Sequence, residues 1–390
     1  MLKIRHIAKP KTVVCHLEQN CKQTTFEKMN KTQMVLYTIL LISFFSTFTS
    51  CNGQNNSKTQ EEKTTAIGVT VSRIDKTIWV IYQDKKSNFW FGSKDNGVFY
   101  YNGQLLKHIT IQDGLVSNEI RSFQEDSAGN IFIETERGVS KFDGQSFKTL
   151  QIANPEFPSN DWRLEPNDLW FRIGFNKNGP YRFDGEYLHY LKFPKSPQED
   201  EFNSKNKNAS LRPFGLYSIY KDRKGFMWFG TSSLGLCRYD GKTLSWHYEE
   251  QLQTTPEGGD FGTRAILEDK DGKFWINNTR FRFNVKPNSS INLGFQKENG
   301  IGYLNENNEM EFPFFHSITE DNEGNLWMVT YDNGVWKYNG KELIHYLIKD
   351  GITDVLLFTI YKDNKGVLWL GSHNAGVYKF NGNSFEKFFK

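Results

Sequence analysis

Cysteine is scarce in this 390-residue chain: Cys15, Cys21 and Cys51 lie near the start, and Cys237 alone lies in the remainder. One thiol forms no internal disulfide and no zinc cluster. Its context, Gly235-Leu236-Cys237-Arg238-Tyr239, reads as a strand, so a buried inert thiol is expected. An excess of one charge is also missing. Lys and Arg number 48 against 45 Asp and Glu, and residues 1–50 hold seven of the bases and two of the acids. That leaves 41 bases against 43 acids, which excludes a nucleic-acid footprint. Proline is sparse at 11 residues, and there is no His-Glu-x-x-His, phosphate-binding glycine loop or nucleophile-elbow serine. No metal, no cofactor and no enzymatic activity are therefore expected.

Aromatics, by contrast, are abundant: 10 Trp, 17 Tyr and 33 Phe, or 15% of the chain, with 32 Gly. Such a composition suits half-buried strands and excludes a coiled coil, disorder or a polytopic membrane protein.

The one long apolar run, residues 34–50, follows Lys28 and Lys31 and ends at Ser50-Cys51. It is short for a spanning helix and has the parts of a secretory signal. Phe48-Thr49-Ser50-Cys51 resembles a loose bacterial lipobox, so residues 1–50 read as an over-called start plus a lipoprotein signal, with Met29 as the true start. Cys51 is then the lipidated residue. The polar stretch 51–66 reads as a flexible tether, and residues 67–390 as the folded part. The expected location is the cell envelope, lipid-anchored, facing the periplasm or the outer surface.

A phrase recurs through the folded part: an apolar strand ending in Asp, a tight turn, a strand with a large aromatic, Gly, another strand, then Asn/Asp-Gly. It is clearest in 219–241, 318–340 and 360–382. The aromatic positions are Trp90, Phe132, Trp170, Trp228, Trp275, Trp327 and Trp369. Seven copies of about 46 residues have the period of four-stranded propeller blades. The predicted fold is all-β, a seven-bladed β-propeller of four-stranded antiparallel blades, since sheets of this kind bury both faces only by radial packing. Ile67–Ser72 is expected to fasten the first blade to the last. The third copy lacks the Asp-x-x-Gly phrase. In the fifth, Gly300–Asn305 matches the third strand, which makes 277–299 an insertion. Asn/Asp-Gly signals two-residue hairpins.

Asp113-Gly114-Leu115-Val116-Ser117-Asn118, followed by Ile120 and Glu125-Asp126, resembles the phrase of two-component regulator propeller repeats, and Asp350-Gly351-Ile352-Thr353-Asp354 echoes it. The resemblance implies a periplasmic sensor propeller of the type joined to hybrid histidine kinases that respond to glycans. Since the chain ends at Lys390, inside the last repeat, signalling is expected to need a separate sensor histidine kinase.

Long connections at 194–214, 251–262 and 277–299 all fall on one end of such a ring, and loops on a rigid scaffold are where binding concentrates. Five residues before each strand-ending Asp stand Trp79, Arg121, Tyr217, Arg264, His316 and Phe358, a row predicted to ring the channel mouth on that end. Tyr331 and His373, just beyond second strands, join them. Aromatics with Arg and His stack on sugar rings and bond hydroxyls or carboxylates; the same row would equally plug the channel. The expected role is a sensor-like propeller binding an oligosaccharide or a partner protein's ectodomain. A glycan-active lyase or hydrolase recruiting Glu119, Glu136, Asp332 or His373, or a structural envelope scaffold, remains open.

Overall fold

The computed structural model describes residues 67–175, 177–205, 214–255, 261–286 and 294–389. The signal, Cys51 and tether readings lie outside these residues. Seven antiparallel sheets form the blades of a propeller, with first strands innermost. Four blades have four strands in the order expected, as in blade four: Leu216–Lys221, Met227–Thr231, Leu236–Tyr239 and Leu244–His247. Blade five has four as well, blade three has three and blade one has five.

The repeated Asp explains both the turn and the aromatic. In blade four Asp222 Oδ1 accepts the backbone N–H of Phe226 at 2.9 Å, which closes the turn. Its Oδ2 accepts the indole N–H of Trp228 at 2.8 Å. The same tie joins Asp84 to Trp90, Asp269 to Trp275, Asp321 to Trp327 and Asp363 to Trp369 at 2.7–3.0 Å. The indole thus packs between sheets while its single donor is satisfied. In blade two, where Phe132 has no donor, Asp126 Oδ2 keeps only the Asn130 side-chain bond, which Asn88 and Asn325 also make in blades one and six.

Two residues after the aromatic stands Gly in blades one, four and seven. A Cβ on Gly230 would lie 2.2 Å from the carbonyl oxygen of Thr263, and one on Gly371 would lie 2.6 Å from that of Ile78. These glycines let the next blade's inner strand come close to the axis.

Blade three departs from this plan. Its three strands, Leu169–Phe171, Tyr181–Phe183 and Leu188–Tyr190, are the second, third and fourth of the other blades. Ile152 and Ser159 bridge in parallel to Leu188 and Leu191 on the outer side. Trp162 then packs against Phe193 and Tyr239, between blades three and four. The chain therefore reaches Leu169 without laying an inner strand on the axis. Side chains replace that strand: Gln124 Nε2 donates to the Trp170 carbonyl at 2.7 Å, and Glu134 accepts the Arg172 backbone N–H at 3.0 Å. Glu134 and Arg172 occupy, in blades two and three, the position that is Gly in three other blades.

Three expectations are corrected. Val69–Val71 pairs with Leu106–Ile109 of blade one itself, so it widens that blade and does not fasten it to blade seven. Closure is made by inner-strand packing, by the Gly376 N–H donating to Lys76 O, and by the Gln83 N–H donating to Tyr361 Oη. In blade five, Asn278–Lys286 is the third strand and Gly294–Asn299 the fourth, while Tyr303–Leu304 pairs with Met310–Glu311 in a separate hairpin. The insertion is thus the segment between blades five and six. The alternating Phe281, Phe283 and Val285 pair better with the sheet edge than the shorter Gly300–Asn305 does. Finally, Asn102-Gly103 and its equivalents open four-residue loops: Tyr101 pairs with Leu106, and Asn102 Oδ1 accepts from the N–H groups of Gln104 and Leu105.

Candidate functional site

The predicted mouth row falls where the inner strands are irregular. Ile78 pairs with Ser93 and Val80 with Gly92, so Trp79 sits on a β-bulge. Arg121, Tyr217 and Phe358 sit on equivalent bulges. A bulge re-aims its side chain. His316 immediately precedes the inner strand of blade six, and Arg264 lies two residues before that of blade five.

The row divides into two groups. On the side of blades one, six and seven, Trp79 stacks on Phe358 at 4.9 Å and donates its indole N–H to His373 Nδ1 at 3.3 Å. The proton of a neutral His373 is then on Nε2. Tyr331 and Phe358 lie edge-on to His373 at 5.2 and 5.0 Å, and His316 packs against Tyr331 and Phe358. Burial, helped by the Arg264 charge and by His373, brings the His316 pKa down to about 4. Burial and then Lys94 hold His373 below its ordinary value. Both imidazoles are neutral at pH 7.

On the other side, the Arg264 guanidinium lies over the Tyr217 ring at 4.1 Å, and Arg121 pairs with Glu119 at 2.7 Å and with Glu136. Arg172, which the sequence reading did not single out, spans the gap. It donates to the carbonyls of Arg121 and Tyr217 and, through Nε, to Glu134 at 3.0 Å. Phe261 joins the two groups, 5.2 Å from His316 and 5.3 Å from the Arg264 guanidinium.

Two cavities adjoin these groups. A groove of about 780 Å³ on the loop-rich end is lined by Phe261, Arg280, Phe312, Phe314, His316 and Tyr331, with Glu309, Glu311 and Asp332 at its edge. The hairpin inserted between blades five and six forms one wall. Arg280 lies 5.4 Å from the Phe312 ring. A second cavity of about 620 Å³ follows the axis where blade three lacks its inner strand, and Tyr217, Arg264 and Arg172 line its closed end. Arg280, Phe312 and Phe314 were not foreseen because they fall in the segment whose strand assignment is corrected above.

Of the other described His residues, three bond within their own blades, and His247 of blade four reaches blade five. His108 bonds the Asn96 carbonyl, His345 that of Asn333, His189 pairs with Asp184, and His247 stacks on Phe295 at 3.8 Å. Among the described residues no group of three His, Cys, Asp or Glu is placed to hold a metal. Cys237 is fully buried in a strand, and burial raises its thiol pKa well above the ordinary value. The Asp113–Asn118 phrase is structural: Asp113 accepts from Gly68 and Thr110, and Asn118 from Ile111.

Residues 215–233, the first two strands of blade four, match the family model described as two component regulator propeller. No curated protein matches the chain. Among solved structures, the chain is similar to the extracellular domain of a hybrid two component system from B. thetaiotaomicron, with 20% identity and a TM-score of 0.55 over 82% of this chain and 40% of that one. It is also similar to virginiamycin B lyase from Staphylococcus aureus, with 14% identity and a TM-score of 0.54 over 80% and 97%. A third is PorZ, a surface component of the type-IX secretion system of Porphyromonas gingivalis, with 15% identity and a TM-score of 0.52 over 78% and 46%. The chain spans about two fifths of the length of the sensor domains. At these identities the likeness is one of fold.

Proposed function

From a chain that carries a two component regulator propeller repeat in a seven-bladed ring, we propose a sensor-like, non-enzymatic binding protein that takes an oligosaccharide in the groove on its loop-rich end. One observation carries this reading. The groove presents the rings of Phe261, Phe312, Phe314 and Tyr331 beside Arg280 and His316, and it opens next to the Trp79–His373 cluster. Flat apolar rings interleaved with donors match the faces and hydroxyls of a sugar chain.

Isothermal titration with a panel of oligosaccharides tests it. At least one is expected to bind, and Tyr331→Ala and Arg280→Ala should each weaken that binding about tenfold. Tyr331 is 40% exposed and Arg280 is exposed, so neither truncation should move the melting temperature by more than a degree or two. No binder in the panel, or unchanged affinity in both variants, sinks the reading.

A second reading, a lyase on the same scaffold, is favoured by His373 at the mouth, whose Nδ1 accepts the Trp79 indole N–H, which leaves its proton on Nε2, and whose ring abuts Tyr331. Unsaturated products or new reducing ends in the same incubations would establish that reading in place of ours. The protein is further proposed to face a non-cytosolic compartment on a lipid carried by Cys51, and to signal through a separate sensor histidine kinase. Cys51→Ser should move the protein from the membrane to the soluble fraction, and retention in the membrane counts against the anchor.

A further inference from the structure

The axial cavity is separate from the groove and opens at the opposite end of the ring. Its exposed lining residues, Ser127, Pro166, Asn167 and Lys221, belong to the end bearing the Asp turns, and Tyr217, Arg264 and Arg172 close it from the loop-rich side. At about 620 Å³ it falls in the range of small-molecule sites. It exists because blade three lays no strand there, and Ser122, Gln124, Glu134 and Ser218 share its lining with apolar side chains such as Phe123 and Trp170. Such a space filled with apolar residues would have been a plug.

The closed end holds an excess of donors. Arg172 spends three N–H groups on Glu134, Arg121 O and Tyr217 O, which leaves two of its five. Arg264 donates Nε–H to Phe261 O and lies between the Tyr217 and Phe261 rings. No carboxylate among the described residues pairs with it, although burial has depressed its pKa. Two guanidiniums thus line the floor with one carboxylate, that of Glu134, which pairs with Arg172. Along the walls, Ser218 donates to Thr263 O and keeps its lone pairs, and Gln124 donates to Trp170 O and keeps its carbonyl oxygen. Nearer the entrance stand Glu125, Asp126 and Asp168. Each is engaged locally: Glu125 by Tyr82 and Lys85, Asp126 by Asn130, and Asp168 by Arg182. Their charge still repels a polyanion on its way in.

We propose that this cavity is a second binding site, for a hydroxylated monocarboxylate of monosaccharide size, with its carboxylate on Arg264 and Arg172 and its hydroxyls on Ser122, Gln124 and Ser218. The planar guanidinium suits a carboxylate, and a single negative charge passes the acidic rim at less cost than two. The inference goes beyond the oligosaccharide groove and does not depend on it.

Titration of the purified full chain with galacturonate, and with galactose as the uncharged counterpart, tests the proposal. Galacturonate is expected to bind at least tenfold more tightly than galactose. Ser122→Leu, which fills the cavity wall, should abolish galacturonate binding while leaving any oligosaccharide affinity of the groove unchanged. Arg264→Gln should weaken galacturonate binding at least tenfold, and it serves as the independent variant if Ser122→Leu does not fold. Tyr331→Ala should leave galacturonate affinity as in the parent, so failure of the groove reading and failure of this one are distinguishable. Absent galacturonate binding, equal affinity for galactose, or wild-type affinity in a folded Ser122→Leu or Arg264→Gln variant would each overturn it.

Discussion

At the scale of the residue, the Asp–Trp tie is the unit that repeats. Asp222 and Trp228 are both buried, and the indole N–H supplies one of the bonds that keep the carboxylate satisfied. A hydrogen bond to a charged group contributes on the order of 1.5–3 kcal/mol, more than a bond between neutral partners. Trp228→Phe keeps most of the apolar area but removes that donor, and it is expected to cost about 2 kcal/mol or more. The readout is a lower urea midpoint at unchanged slope. A loss under half a kcal/mol would mean that the aromatic acts through its bulk alone. In blade two the indole bond is missing, and Asp126 retains the Asn130 bond that accompanies it in blades one and six. The sequence displays Asp and Trp six positions apart in five blades. In the sequence the two read as separate turn and packing residues, because spacing alone does not reveal a bond across a hairpin.

At the scale of the element, two blades depart from the repeat, and they do so for different reasons. Blade three loses its inner strand, and the absence of Asp-x-x-Gly there was visible. The path of 150–168 around the outer side was not visible, since it depends on Ile152 and Ser159 finding the edge of the Leu188–Tyr190 strand. A signal did exist. Gly, which in other blades admits the neighbouring inner strand, is replaced by Glu134 and Arg172, and side chains of opposite charge at that position pair across the gap. In blade five the phrase at Gly300–Asn305 imitates a third strand, yet Asn278–Lys286 takes that place. Identity of a strand is decided by the edge it pairs with, and two nearby segments compete for one edge. This error displaced the expected insertion and concealed Arg280, Phe312 and Phe314. The row can be counted out in the sequence because it is measured from an aspartate that the turn holds in register.

At the scale of the whole molecule, ring closure buries His316 among Phe261, Tyr331 and Phe358 of neighbouring segments, and the electrostatic cost appears as acid sensitivity. His316, against Arg264 and His373, and His247, near Glu249 and Lys297, both have pKa values brought down to about 4, chiefly by burial. In the unfolded chain an imidazole takes up its proton near 6.5. Between those values the unfolded state binds more protons, so stability is full above pH 6.5 and declines as pH falls toward 4. Urea midpoints at pH 7.0 and 4.5 should differ accordingly, and His316→Gln should shrink that difference. An identical pH dependence in the variant would show that His316 is not held neutral by the fold. Below pH 4 a further loss follows, because the unfolded chain's Asp184 takes up a proton there, while in the fold bonds from Tyr187, Glu186 and His189 hold it at about 2 against the cost of burial.

The chain by itself determined the class of fold, the number of blades and the residues that end each inner strand. These rest on local chemistry repeated at a steady period, namely turn-forming Asp and Gly, and alternation within strands. Only the tertiary structure decided that one blade omits its inner strand, that Val69–Val71 stays within blade one, and that the mouth row splits between an aromatic cluster and an arginine-floored cavity. Those outcomes depend on which distant edges and charges meet when the ring closes. No window of sequence contains both partners of such a meeting.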